Sequence, residues 1–273
     1  MGKSYLGLIT RCKDEYFVQE FCEYYLKQGV DKILIFDDDS VDKSIYTGLF
    51  SNPRVEIFYE KNITKKDCLI NRTNDLRERF EWVIYVDVDE FITTKNNLNN
   101  TIRDELSTTF KDAHVVKVPW VMMACNGLEK NPDSILDSIT YRWNHDNKHV
   151  HAKPKFRCRY EQIEVKTIFK PEFFKYVSSI AGGDHTPHGH MGDSSLIREG
   201  VYNSVVELNP FYDNLREEHI KNGYLLCYHY RMISKENCIN KLKTNRWYRE
   251  TKVTLKHMLD FDHPEVLDTR LKN

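Results

Sequence analysis

The residues best placed by type and spacing to do chemistry are the carboxylates of the run Trp82-Val83-Ile84-Tyr85-Val86-Asp87-Val88-Asp89-Glu90-Phe91. Side chains two apart on an extended chain point the same way, so Asp87 and Asp89 are expected to converge on one site. Two hard carboxylates suit a divalent cation, Mn²⁺ or Mg²⁺, that keeps open positions for phosphate oxygens. An Asp-x-Asp pair is common by chance, but one that ends an apolar strand after three strand–helix units is much rarer. A second dense cluster is Gly182-Gly183-Asp184-His185-Thr186-Pro187-His188-Gly189-His190. Its three histidines could bind zinc, yet no neighbouring cysteine or His-Glu-x-x-His completes a recognised site, and a glycine-rich loop over a substrate fits better. His229 is flanked by Leu225, Leu226 and Tyr228, a setting that suits a satisfied core histidine as well as a ligand.

These side chains need a scaffold, and the first 120 residues supply one by alternating short apolar runs with amphipathic stretches. Strands are expected at 5–10, 32–36, 55–59, 82–86 and 114–118, with helices at 14–28 and 64–80. In the first helix Phe17, Val18, Phe21, Cys22, Tyr25 and Leu26 recur at helical spacing, and Gly29 is placed to end it. Thr64 is a plausible N-cap for the second. Strand–helix units in succession predict an α/β fold with a doubly wound, mostly parallel sheet, whose ligand crevice lies beyond the carboxyl ends of the strands. From 119 to 213 the periodicity weakens, and loops and short strands such as 165–169 are expected to cover the crevice. Helical character returns at 234–250 and 253–259. No Pro/Ser linker or repeat divides the 273 residues, which predicts one compact domain.

Composition removes whole classes of function. Forty basic against 41 acidic residues give a formal charge of −1, without the broad basic surface of a non-specific nucleic-acid binder. No apolar run is long enough to span a membrane, and the start lacks a signal-peptide apolar region, so a cytoplasmic location is expected. Gly2 does not complete a myristoylation pattern, because position 6 is Leu6. The seven cysteines are scattered, contain no Cys-x-x-Cys pair, and read as reduced thiols. The sequons at Asn62, Asn71 and Asn99 then read as chance matches.

Several motifs in order make the chain resemble glycosyltransferases of the GT-A fold that carry an Asp-x-Asp motif, in particular the group related to glycosyltransferase families 2 and 92. They are Arg11-Cys12-Lys13-Asp14-Glu15, then Gly29-Val30-Asp31-Lys32 leading to Phe36-Asp37-Asp38-Asp39-Ser40, the Trp82 to Phe91 run, Lys166-Thr167-Ile168-Phe169-Lys170-Pro171, and Tyr228-His229-Tyr230-Arg231. The resemblance implies a Rossmann-like nucleotide-sugar-binding half at 1–120 and an acceptor-binding half with C-terminal helices at 121–273. It implies transfer of a sugar from a nucleotide diphosphate sugar, UDP-linked by default, to a carbohydrate or glycan acceptor. Thr10, Arg11, Asp38, Asn71, Arg72 and Asp87 would then contact the donor, and Asp87, Asp89 and His229 would hold the metal. Asp38 reads equally as part of a solvated, Asp-capped turn, and Arg72 as part of a solvated helix face. Lys235, Lys241, Lys243 and Arg246 give a positive helix that could neutralise a leaving diphosphate, although a charged solvent face explains most of them equally well. An inverting transferase needs a general base, for which Asp184 is the candidate and Asp193, Asp133 and Glu129 the competitors. A cytoplasmic transferase of this kind suits a bacterium or a large virus.

Two other functions compete. A haloacid-dehalogenase-like phosphatase shares the strand ending in Asp-x-Asp, but needs Thr or Val where this chain has Phe91. A non-catalytic carbohydrate-binding protein would use Trp120, Trp143 and Trp247 as stacking platforms and leave the carboxylates idle.

Overall fold

The computed structural model describes residues 2–61, 72–94, 99–149, 161–176 and 186–272. Four parallel strands open the chain: β1 (Ser4–Cys12), β2 (Lys32–Asp38), β3 (Val55–Glu60) and β4 (Phe80–Tyr85), in the spatial order β3-β2-β1-β4. The apolar residues of β1, β2 and β4 are buried on both faces, as interior parallel strands require, and those of the edge strand β3 only partly. Leu6, Leu8, Ile33, Ile35, Trp82 and Ile84 pack into one core, and Ile9, Leu34, Phe36, Val83 and Tyr85 into another across the sheet.

Helix α1 (Val18–Lys27) covers the first face with Val18, Phe21, Cys22 and Tyr25, one stripe at helical spacing. It ends as expected at Gly29, whose φ of +88° is the left-handed conformation that favours glycine. Helix α2 (Thr73–Arg79) lies on the other face through Leu76 and passes directly into β4 at Phe80. The expected N-cap Thr64 lies outside the described residues.

The middle of the chain departs from expectation. It does not merely cover the crevice, because β8 (Gln162–Phe169) runs antiparallel in the centre of the sheet, between β4 and β6 (Val115–Ala124). Glu164, Lys166 and Thr167 are buried there, and these polar residues disguise an interior strand as a surface one. β6 also runs past the expected stop at residue 118. Pro119 cannot donate to the ladder, and Pro119↔Val165 is the last pair with β8. β6 then pairs with β7 (Tyr141–Arg142) and with β13 (Leu225–His229). β5 (Glu90–Thr94) lies antiparallel to β13, setting Glu90 opposite His229. The result is a single compact α/β domain around a mixed, mostly parallel sheet. The five cysteines described are free and buried, and among the described residues no helix is long and apolar enough to cross a membrane.

Candidate metal centre

The chain leaves β4 at Val86 and turns through Val88 and Asp89 into β5. Two reciprocal bonds close that turn: Glu90 N–H donates to the Asp87 carbonyl at 3.1 Å, and Asp87 N–H donates to Glu90 Oε2 at 2.7 Å. The backbone is therefore not extended as the alternation argument assumed, and Asp87 and Asp89 are drawn to different lysines. Asp87 Oδ2 accepts from Lys166 Nζ at 2.8 Å, whereas Asp89 Oδ2 accepts from Lys241 Nζ at 2.7 Å. Lys166 comes from the antiparallel strand β8; Lys241 comes from helix α3 (Lys235–Thr244), which Ser234 caps by accepting from Asn237 N–H.

Glu90 is the acidic residue that sequence reasoning left without a role. It is fully buried, and Lys166 Nζ lies 2.8 Å from Oε2. Among the described residues, Glu90 Oε1 and His229 Nδ1 have no hydrogen-bond partner. His229 Nε2 stands 3.8 Å from Asp89 Oδ1 and 4.0 Å from Glu90 Oε1. Asp89, Glu90 and His229 thus each turn one ligand atom toward a common point, with all of them within 4.8 Å of one another. A charged residue at the start of the apolar run Phe91-Ile92 was the available signal for Glu90. The signal for Lys166 was a lone charge inside Val165-Lys166-Thr167-Ile168-Phe169.

The electrostatics suit a cation. Burial, and then Arg231, Lys166 and Lys241, hold His229 down to about 3 against the pull of Asp89, so the imidazole is neutral and able to ligate. Burial first, and then Asp87 and Asp89, push Glu90 up to about 8 despite Lys166. Glu15, at the end of the Arg11–Glu15 step, is pushed to about 7, by burial first and then Asp89, Asp87 and Asp14. Burial also disfavours the Asp89 carboxylate, but Lys241 and then His229 outweigh it and keep Asp89 below the usual range. Lys166 and Lys241 are both raised, because their carboxylates overcome burial. Four carboxylates, those of Glu15, Asp87, Asp89 and Glu90, face two ammonium groups. With all four ionised, one divalent cation would balance the excess; the orphaned Glu90 oxygen is a donor type that Mn²⁺ or Mg²⁺ takes, and the neutral imidazole favours Mn²⁺ of the two.

Of the expected donor contacts, Thr10, Arg11 and Asp38 lie at the carboxyl ends of the adjacent strands β1 and β2. Thr10 is fully buried, so Arg11 rather than Thr10 can turn a side chain to a ligand. Asp37 organises the following loop by accepting from Ser40 N–H, Lys43 Nζ and Tyr46 OH. Asp38 is left half-buried beyond it, its carbonyl held by Lys13 Nζ at 2.9 Å. Arg72 is not on a solvated helix face; its guanidinium stacks on Phe36 and Phe58 and pairs with Glu60 at 2.6 Å. Asn71 lies outside the described residues.

Asp184, with Gly182, Gly183 and His185, also lies outside them. The strands on either side, β9 (Phe174–Tyr176) and β10 (His188–His190), form a hairpin near the amino end of β4, where Arg77 Nε donates to the Pro171 carbonyl. His190 meets His114 there at 3.2 Å, and Asp193 caps Ser195 nearby. Glu129 and Asp133, by contrast, follow the carboxyl end of β6, and Glu129 pairs with Lys235 at 3.1 Å. Trp120 and Trp143 are buried and offer no stacking face, and the Trp247 side chain is outside the described set.

No protein-family model matches the chain, and no curated protein matches it. Among solved structures it is similar to 4-diphosphocytidyl-2C-methyl-D-erythritol synthase from Anaerococcus prevotii, at 10% identity over 81% of this chain and 96% of that one, with a TM-score of 0.35. It is also similar to HddC from Yersinia pseudotuberculosis, at 12% identity over 79% and 96% of the two chains and a TM-score of 0.34. The same protein complexed with GMP-PN gives 13% identity, 80% and 98%, and 0.33. Likeness this distant carries no argument about activity.

Proposed function

We propose that the chain is a metal-dependent glycosyltransferase that moves a sugar from a nucleotide diphosphate sugar, UDP-linked by default, to a carbohydrate or glycan acceptor. One observation carries the reading: Asp89, Glu90 and His229 offer ligand atoms within 4.8 Å of one another beyond the carboxyl ends of parallel strands, where the crowding of carboxyls that raises Glu90 is what a bound cation would relieve. The motif order from Arg11 to Arg231, and the crevice expected at this end of such a sheet, add support.

In this reading Asp89, Glu90 and His229 hold Mn²⁺ or Mg²⁺, with Asp87 beside them. The ion would supply Lewis-acid stabilisation of charge developing on the departing diphosphate. Arg11 and Asp38 bind and orient the nucleoside, and Lys241, tied to Asp89, sets the charge next to the diphosphate. The buried His229 and Trp120 rings, 4.2 Å apart, keep water from the inner side of the ligands. The general base takes the acceptor proton; Glu129 and Asp133, beyond the carboxyl end of β6, are candidates for it alongside Asp184. The halves at 1–120 and 121–273 then divide donor from acceptor.

A screen of nucleotide sugars with Mn²⁺, read as release of nucleoside diphosphate, tests the proposal. The expected result is turnover of a UDP-sugar that EDTA abolishes and Mn²⁺ restores. Failure of every nucleotide sugar to bind or turn over with either metal would remove it.

A further inference from the structure

Lys166 is fully buried, yet its ammonium is not there to fill space. It sits 2.8 Å from Asp87 Oδ2 and 2.8 Å from Glu90 Oε2, bridging two carboxylates. Glu90 therefore faces a cationic position on each side. One oxygen holds the lysine and the Asp87 N–H, and the other turns, without a partner, toward Asp89 Oδ1 and His229 Nε2. A carboxylate shared between two neighbouring cations is the arrangement of two-metal centres, where the ions lie roughly 3.5–4 Å apart. We propose that Lys166 is a built-in cation occupying the second of two adjacent cation positions, so that the centre takes one divalent ion rather than two.

The inference rests on the metal-dependent reading of the Asp89–Glu90–His229 site and makes Lys166 a positioning residue. It fixes which carboxylate oxygens remain for the metal: Glu90 Oε1 is left, and Asp87 Oδ2 is spent. An ammonium cannot exchange with solvent ions, so one position stays filled at any metal concentration. Its neighbours fit that part. The ammonium lies 5.8 Å from the Tyr85 ring centroid and 6.0 Å from that of Trp120, aromatic faces that favour a cation.

Stoichiometry distinguishes this from a merely structural lysine. Mn²⁺ alone, titrated into the full chain by calorimetry and by electron paramagnetic resonance, is expected to bind once to the wild type. Lys166→Ser removes the ammonium and opens room for a hydrated ion. This variant is expected to bind two Mn²⁺ with a spin-coupled signal, and Asp87→Asn/Lys166→Ser to return to one. If Lys166→Ser is unfolded without metal, excess Mn²⁺ is expected to restore its circular dichroism where equal ionic strength of NaCl does not. A wild type that binds two ions, a folded Lys166→Ser that still binds one, or an unfolded Lys166→Ser that Mn²⁺ cannot rescue overturns the inference while leaving the metal site standing. A wild type that binds no Mn²⁺, with or without UDP, overturns the site itself.

Discussion

Two buried ionic clusters share this sheet and are finished differently. Around Arg142, every charge is answered: its guanidinium holds Glu217 through two bonds of 2.7 and 2.8 Å and Asp268 at 2.9 Å. Tyr228 OH and Arg270 N–H complete Asp268, and His145 N–H completes Glu217. Arg142, Glu217, Asp268 and Arg270 line a depression of about 720 Å³ that none of the turn's carboxylates reaches. Around Asp89 the ledger is left open, with a Glu90 oxygen that has no partner among the described residues and lies 4.0 Å from His229 Nε2. A closed network fixes the fold; an open one, built at a cost in stability, holds free energy that a ligand can recover.

Breaking each cluster should therefore give opposite phenotypes. The largest effect is expected for Asp89→Ala, which should reduce sugar transfer to background, a loss on the order of 10² or more for a charge-stabilising group, in a chain that still folds but is less stable because Lys241 loses its buried partner. A folded Asp89→Ala protein of full activity would collapse the distinction.

Next comes Arg142→Met, which strands the buried Asp268 and leaves the half-buried Glu217 without its bidentate partner. It should cost about 3–5 kcal/mol of stability, as breaking a buried pair does, with Mn²⁺ affinity unchanged in whatever protein remains folded. Chemical denaturation with and without Mn²⁺ measures both.

The two clusters should also answer pH in opposite directions. Burial, Arg142 and His149 hold His145 down to about 3, and its Nε2 accepts from Met122 N–H. The unfolded state then binds more protons between pH 6.5 and 3, so stability contributed here is lost on acidification, by on the order of 4 kcal/mol across the window. Glu90, raised to about 8, binds its proton more readily folded than unfolded. The metal-free protein should accordingly lose stability as pH rises from about 4.5 to 8. His145→Gln should flatten the acid limb and Glu90→Gln the upper one, and a metal-free melting profile unchanged by either refutes the corresponding assignment.

Smaller again is the stabilisation by Mn²⁺: at 100-fold excess over its dissociation constant, about 2.7 kcal/mol is expected, seen as a melting shift absent from Glu90→Gln. The smallest is Asp38→Ala, for which about tenfold weaker UDP binding, or about 1.4 kcal/mol, corresponds to one hydrogen bond to a charged group. Unchanged UDP affinity by calorimetry would move the nucleoside away from β2.

The sequence carried the first half of the molecule well, because β1, β2, β3 and β4 mark themselves by short, mostly apolar runs and α1 by an apolar stripe at helical spacing. It carried β8 poorly. An interior strand bearing Glu164, Lys166 and Thr167 looks like a surface one until the partners of those charges are known, and Asp87 and Glu90 lie far away in the chain. Asp87, Asp89 and His229 could be singled out as chemical residues from motif order. Glu90 could not be separated from them, since its role depends on the turn that sends Asp87 and Asp89 to different lysines.

The pairing of Glu90 with His229 across β5 and β13 also bears on the order of assembly. The two come together only when nearly the whole chain is available, after a costly loop closure. Any ion they hold together with Asp89 can be captured only late in folding, so it should act chiefly as a brake on unfolding rather than as a nucleus for folding.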